Sequence, residues 1–412
     1  MINTTRKRCV IIIARNNNDS DYSILIKNAS VILKDKIVKT DVLVKDGRIA
    51  QIGDNLTDEE VLDLEGKYLA PGFVDIHNHG GYGYDYMDNT VEAFENILRF
   101  HSDNGITSAV ASTVTAPQET IEKTIAVARE VVGKKGAHAK LLGVHLEGPY
   151  LSVQNKGAHA PAYLKVPAED DYGYILDNAD VIRQITISPE LPGSVELTEK
   201  LVEKGIVVSM GHDYAILPEL LPVVQAGATN LTHIFCAMSM VVMRNNKRYV
   251  GLREYGLIDD KLTAEVIADN HHITPELWKM IYKCKGADGI CLISDCLRAG
   301  GMKADGTLYS LGKKDDPTSQ QFMVADGVAV LADGKTYAGS IQPISQMLRN
   351  IVFDGGVPLV EAIKTVSSTP AKIVKADKDI GSIEVGKYAD FCVLNKDLCV
   401  EKTIIEGKII QN

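Results

Sequence analysis

The chain has 412 residues, of which 45% are hydrophobic and 24% charged, with a formal net charge of −10. That length exceeds one ordinary core, so at least two units are expected, unless an α/β barrel of ~250 residues takes up most of it. The acidic balance without a block of one sign excludes nucleic acid as the main partner; a phosphorylated small molecule stays open, since one Arg and a few backbone N–H groups hold it.

Residues 1–21 read as an N-terminal extension. Arg6-Lys7-Arg8 precedes the apolar run Cys9-Val10-Ile11-Ile12-Ile13-Ala14, which stops at Arg15 and is short for the core of a signal peptide. No stretch approaches the ~20 apolar residues that span a bilayer, so no membrane partner is expected. The seven cysteines (Cys9, Cys236, Cys284, Cys291, Cys296, Cys392 and Cys399) are scattered, odd in number and free of C-x-x-C pairs. They read as reduced thiols in a cytoplasmic protein.

Residues 22–70 read as short strands. Ile24-Leu25-Ile26 and Val42-Leu43-Val44 are β-prone, and Asp46-Gly47 stands where a tight hairpin turn belongs, before the return run Ile49–Gly53. From Tyr68-Leu69-Ala70-Pro71-Gly72 onward the pattern changes. Strand-length apolar runs now alternate with amphipathic segments. The runs are Phe73–Ile76, Thr107–Ser112, Leu141–Leu146, Ile182–Ile187, Ile206–Met210, Asn230–Ile234, Ala264–Ile267 and Gly289–Ile293. Helical segments are expected over Val91–His101, Glu119–Val132 and Glu196–Lys204. Eight such strands alternating with helices imply a (β/α)₈ TIM-like barrel, assigned to residues 71–370. The tail, 371–412, returns to short strands with a turn at Glu406-Gly407-Lys408. A small β-sandwich built from both chain ends, 22–70 and 371–412, is the economical arrangement.

The candidate chemistry lies at the ends of the apolar runs. His77 and His79 follow the first run, Glu147 ends the third, and His212, His233 and Asp295 follow later ones. In a parallel barrel the C-terminal strand ends converge on one face. Imidazole and carboxylate donors suit Zn²⁺, Fe²⁺ or Mn²⁺, and two His at alternate positions point to the same side. A metal there acidifies water and polarises a carbonyl, and a nearby carboxylate serves as base.

The chain resembles the amidohydrolase superfamily, and within it the N-acetylglucosamine-6-phosphate deacetylases. The likeness runs from about residue 22 to 410 and is carried by Ala70-Pro71-Gly72-Phe73-Val74-Asp75-Ile76-His77-Asn78-His79-Gly80, Gly143-Val144-His145-Leu146-Glu147-Gly148-Pro149 and Lys156-Gly157-Ala158-His159. Thr232-His233-Ile234-Phe235, Ala237-Met238-Ser239, Ile267-Ala268-Asp269 and the ending Gly381–Asp390 add to it. The resemblance implies a divalent metal, one or two ions per subunit, held by Glu147, His212 and His233 with His77 and His79 as a second pair. It implies that Glu147 bridges and that Asp295 is the catalytic acid/base, itself at the metal. Substrate contacts are implied for Ala158, His159, Cys236, Ala237, Arg244, His272 and Ile341, and a homodimer is implied as well.

Two departures bear on the substrate. Cys236 replaces the Asn expected before Ala237-Met238, and no Pro follows Ser239, so Arg244, Lys247, Arg248 and Arg253 all compete for the phosphate. Asn270 replaces a Gly before His271-His272. The expected reaction is deacetylation of N-acetylglucosamine 6-phosphate. An N-acetylgalactosamine 6-phosphate, an unphosphorylated amino sugar, an N-acyl amino acid or a silent barrel scaffold are the alternatives.

Overall fold

The computed structural model describes residues 22–314 and 316–410. The expected extension, 1–21, and with it Cys9, lies outside the described residues.

Eight parallel strands make one sheet in which neighbours in the chain are neighbours in space: β1 (Phe73–Asn78), β2 (Ile106–Thr113), β3 (Lys140–Glu147), β4 (Ile182–Ile187), β5 (Val207–Met210), β6 (Asn230–Leu231), β7 (Thr263–Val266) and β8 (Ile290–Leu292). Helices α1 (Val91–Asp103), α2 (Gln118–Val131), α3 (Gly173–Asp177), α4 (Ser194–Glu203), α5 (Leu217–Gln225), α6 (Leu252–Ile258) and α7 (Pro275–Lys285) each follow a strand, and α8 (Ile344–Phe353) follows β8 after an insertion. The sheet is that of the predicted barrel. In α1, Thr90 caps the first turn through the Ala93 N–H at 3.1 Å. Phe94, Ile97, Leu98 and His101 of α1 are buried at helical spacing. All of β2 is buried, as befits a parallel strand covered on both faces.

The seam between β8 and β1 is closed at the site-bearing end. The Asp295 N–H donates to the His77 carbonyl oxygen at 2.9 Å. The buried Asp75 carboxylate accepts from Ser294 Oγ at 2.5 Å and from the His77 N–H at 3.3 Å. The first Asp of Asp-Ile-His-Asn-His thus locks the two strands whose ends carry His77 and Asp295.

Both chain ends build one separate eight-stranded, mainly antiparallel sheet. Tyr68–Pro71 pairs antiparallel with Phe391–Leu394 and so joins the two ends, over a core that includes Ile26, Val31, Val44, Leu69, Phe391 and Val393. Asp46-Gly47 turns the expected hairpin with both residues at positive φ (50° and 76°), and Glu406-Gly407 does the same at 47° and 76°.

Two elements escaped the sequence reading. A four-stranded antiparallel sheet (Tyr309–Ser310, Gln321–Ala325, Val328–Leu331, Tyr337–Gly339) is inserted between β8 and α8. The basic stretch after Ser239 is a hairpin, Val242–Arg244 against Lys247–Tyr249, turned by Asn245-Asn246 at φ 48° and 59°.

The Asp390 of the ending motif welds sheet to barrel. Its Oδ2 meets Lys140 Nζ on β3 at 2.5 Å, its Oδ1 accepts the Glu406 N–H at 2.9 Å, and its carbonyl oxygen takes the Gly72 N–H at 2.9 Å. Lys140→Met strands a buried carboxylate, partly compensated by that N–H. A loss of about 2 kcal/mol is expected in equilibrium denaturation, and an unchanged midpoint would show the joint to be unimportant.

Candidate active site

Every predicted ligand leaves a strand at its C-terminal end. His77 and Glu147 lie within the last turns of β1 and β3; His79, His212, His233 and Asp295 lie one to three residues beyond β1, β5, β6 and β8. Three of them sit in the left-handed region: His212 at φ 48°, His233 at 28° and Asp295 at 44°. Such backbone costs about 1–3 kcal/mol per residue and persists only where packing over-determines it. Here it turns the chain off the strand end while the side chain stays in the cluster around Glu147 and His79.

The Glu147 carboxylate is the centre of the cluster. His233 Nε2 lies 2.9 Å and His212 Nε2 3.1 Å from its Oε1, with His77 Nε2 at 3.6 Å. On the Oε2 side stand His79 Nε2 at 3.3 Å and His159 Nε2 at 3.4 Å. Asp295 Oδ1 is 3.1 Å from His79 Nε2 and 3.6 Å from His77 Nε2. Three overlapping sets of donors come within 4.8 Å of one another: His77–Glu147–His233, His77–His79–Asp295 and Glu147–His159–His212. All of these residues are buried.

The second nitrogen distinguishes three of the five rings, while Nδ1 of His79 and of His233 is buried without a partner among the described residues. His77 Nδ1 faces Glu265 Oε2 at 2.9 Å, so it carries the proton and leaves Nε2 bare. That buried Nε2 has no hydrogen-bond partner among the described residues. His212 Nδ1–H donates to the Asn155 carbonyl at 2.9 Å, which again frees Nε2. His159 is the reverse: its Nδ1 accepts the Thr115 N–H at 3.2 Å, so the neutral ring carries its proton on Nε2. His77 and His212 therefore present a bare nitrogen to the cluster, the form in which imidazole binds a metal, whereas the neutral His159 ring presents an N–H. The bare imidazoles, two carboxylates and a missing partner at His77 Nε2 fit a divalent ion of the Zn²⁺, Fe²⁺ or Mn²⁺ kind.

Electrostatics agree. Burial pulls the His79 imidazolium down, but its bonds to Asp295 and Glu147 outweigh this and raise it to about 9. Burial drives His159 down to about 4, so that ring is neutral near pH 7. Burial raises the Asp295 carboxyl, yet the bond from His79 more than offsets it and keeps the group ionised. Burial pushes the Cys236 thiol up, so it is a neutral group and no anion.

Of the residues expected to contact the sugar, His159 and the segment before it reach this centre. Gly157 has φ 57° and a Cβ there would stand 3.0 Å from His212 Cε1 and 3.7 Å from Ala237 Cβ, so the Lys-Gly-Ala-His segment lies directly on both. Ala158 is buried beside it, and Cys236 and Ala237 are half-buried. Ile341 follows Ser340, whose N–H donates to the Asp295 carbonyl oxygen at 2.9 Å. His272 Nδ1 donates to Asp269 at 2.8 Å, with the Tyr337 ring 4.7 Å from its own. Asn270 occupies its Gly-like place at φ 64°, a conformation Asn tolerates well. Arg244 lies on the hairpin, donating to the Tyr214 carbonyl at 3.2 Å and 3.5 Å from Glu219. Arg253 lies over the Phe235 ring at 5.0 Å, its buried Nε without a partner among the described residues. Sequence reading passed over Glu265 and Thr115. Glu265 had a signal, a charge inside the apolar run of β7, whereas Thr115 acts through its backbone and left none.

The model of the amidohydrolase family matches residues 68–410. The N-acetylglucosamine-6-phosphate deacetylase of Homo sapiens is 31% identical over 93% of this chain and 94% of its own. The solved N-acetylglucosamine-6-phosphate deacetylase of Pasteurella multocida superposes with a TM-score of 0.87 at 29% identity, covering 95% of this chain and all of that one. A mutant of the Mycobacterium smegmatis enzyme, solved in complex with N-acetyl-D-glucosamine-6-phosphate, gives 0.83 at 28% identity over 96% of this chain and 100% of its own.

In the ion-free protein His79 keeps its proton up to about pH 9, so an ion must displace it. Apparent affinity is expected to rise about tenfold per pH unit up to that value, with proton release on binding. Titration calorimetry in buffers of differing ionisation heat reads both, and a pH-independent affinity without proton release would contradict the assignment.

Proposed function

This chain belongs to the amidohydrolase family, and from that premise we propose that it hydrolyses the acetamide of N-acetylglucosamine 6-phosphate to acetate and glucosamine 6-phosphate. The observation that carries the reading is the ionised Asp295 carboxylate beside a Glu147 ringed by imidazoles, with the neutral His159 Nε2–H pointing into the same space. Glu147, His212 and His233 would hold one divalent ion, and His77, His79 and Asp295 would hold a second. Zn²⁺ or Fe²⁺ suits these donors first and Mn²⁺ next. The ion supplies Lewis acidity, polarising the amide carbonyl and acidifying water.

The protein's own groups do the rest. Asp295 takes the proton of the attacking water and returns it to the departing amine as the C–N bond breaks. His159 donates from Nε2 to the substrate, its tautomer set by the Thr115 N–H. His272, held by Asp269, offers its bare Nε2 as an acceptor for a sugar hydroxyl. Ala158, Ala237 and Ile341 wall the sugar. Cys236 lines the same wall without charge, so an arginine must meet the phosphate. Arg253 is favoured over Arg244, because Arg244 already faces Glu219 whereas Arg253 Nε lacks a partner among the described residues. The same proposal includes a homodimer, supported by the exposed Met240, Val241 and Met243. It also includes the cytoplasm, supported by six free cysteines among the described residues. No helix among the described residues is long and apolar enough to cross a membrane.

Acetate release assayed on phosphorylated and unphosphorylated N-acetylamino sugars tests the reading, and a preference for N-acyl amino acids would overturn it. Asp295→Asn is expected to keep its metal and lose about 10³-fold in kcat; near-normal turnover would remove Asp295 from its role. Arg253→Met is expected to raise KM about 10- to 100-fold for the phosphorylated sugar and leave the unphosphorylated one unchanged. The same effect from Arg244→Met, with Arg253→Met silent, would reverse the choice of arginine.

A further inference from the structure

We infer that Glu265 is a positioning residue that decides whether the His77 side of the site fills with an ion. The inference rests on the metal-hydrolase reading above. Glu265 lies on β7 and His77 on β1, with β8 between them in the sheet, so their bond crosses the barrel interior. Both side chains are fully buried. Glu265 Oε2 faces His77 Nδ1 at 2.9 Å, while Oε1 accepts from Gln184 Nε2 at 2.6 Å and Asn230 Nδ2 at 2.8 Å.

A charged carboxylate is an unusual tenant of a barrel interior, which branched apolar side chains ordinarily fill. Here a polar layer replaces them. From Asn230 the chain of bonds runs through Ser209 (3.1 Å) to Thr232 (2.7 Å), Thr186 (2.7 Å), His145 (2.8 Å) and Ser112 (3.0 Å). The His145 ring then stands edge-on to His77, centroids 4.5 Å apart. The layer thus returns to the ring from which it started. Each member holds the next, and at the site end of the layer His77 Nε2 is left buried and without a partner among the described residues.

The physical effect of Glu265 on His77 is twofold. It fixes the tautomer with the proton on Nδ1, and its negative charge makes Nε2 a better electron-pair donor. Gln184 and Asn230 prevent the carboxylate from rotating away. Glu265→Gln keeps the volume but removes the charge, and its amide nitrogen must oppose either His77 Nδ1–H or the two amide donors.

The test compares wild type, Glu265→Gln and His77→Asn, each stripped with chelator and reloaded with Zn²⁺. Ions per subunit are counted by plasma mass spectrometry and affinities read by chelator competition, with the Tm of the stripped proteins measured alongside. Wild type is expected to bind two ions. In Glu265→Gln one of them weakens about 10- to 100-fold, and the count falls towards one, as in His77→Asn. Should Glu265→Gln fail to fold, Gln184→Met carries the test with a smaller loss at the same ion. Wild-type constants in Glu265→Gln, with or without a lower Tm, would make the residue merely structural and overturn the inference. A wild type that binds one ion, unaffected by His77→Asn, would overturn it too while leaving the hydrolase reading intact. A wild type that binds no ion would overturn both.

Discussion

One buried carboxylate organises the molecule. Glu147 lies at the end of β3 with five imidazole nitrogens between 2.9 and 3.6 Å of its oxygens. Burial alone would drive such a carboxyl to the neutral form, but the imidazole rings around it, His77 first among them, hold it well below the usual carboxylate range. A cluster of this kind is an expensive interior unless positive charge is supplied, by protons or by a cation. The rest of the structure exists to deliver those rings to one point from strands that begin far apart in the chain.

The delivery works through two devices. One is backbone strain at the strand ends, where His212, His233 and Asp295 take positive φ while their side chains stay in the cluster. The other is the seam between β1 and β8, where Asp75, Ser294 and the Asp295 N–H fix His77 and Asp295 as neighbours. Gly339 belongs to the second device. A Cβ there would meet the Asp295 carbonyl oxygen at 2.9 Å, and its φ of 133° suits glycine, so the segment after the inserted sheet can press against the catalytic loop. Ser340 then returns an N–H to that same carbonyl.

Most of the frame was legible in the sequence because it obeys periodicity. Parallel buried strands read as apolar runs, and Asp46-Gly47 announced its hairpin through the left-handed turn that Gly accepts and Asp tolerates. Asp326-Gly327 carries the same signal at φ 48° and 82°, yet its hairpin was read as part of the barrel, since short strands of mixed burial lack a clear period. The hairpin turned by Asn245-Asn246 escaped for a similar reason. The candidate ligands came from their place at run ends, which spacing reveals, and the substrate contacts from the family resemblance. Their partners did not: Glu265 reaches His77 across 188 positions, and Thr115 acts through a backbone N–H. Tautomers, and with them the difference between the bare Nε2 of His212 and the Nε2–H of His159, are set by such contacts and leave no trace in composition.

The central claim is that the rim of this barrel is a metal centre organised by Glu147. Anomalous diffraction from crystals of the Zn²⁺-loaded protein, collected above and below the zinc edge, tests it most directly. The expected map has peaks on both sides of the Glu147 carboxylate, one against His212 and His233 and one against His77 and His79. A map without a peak at Glu147, or with zinc only at surface residues, would contradict the account.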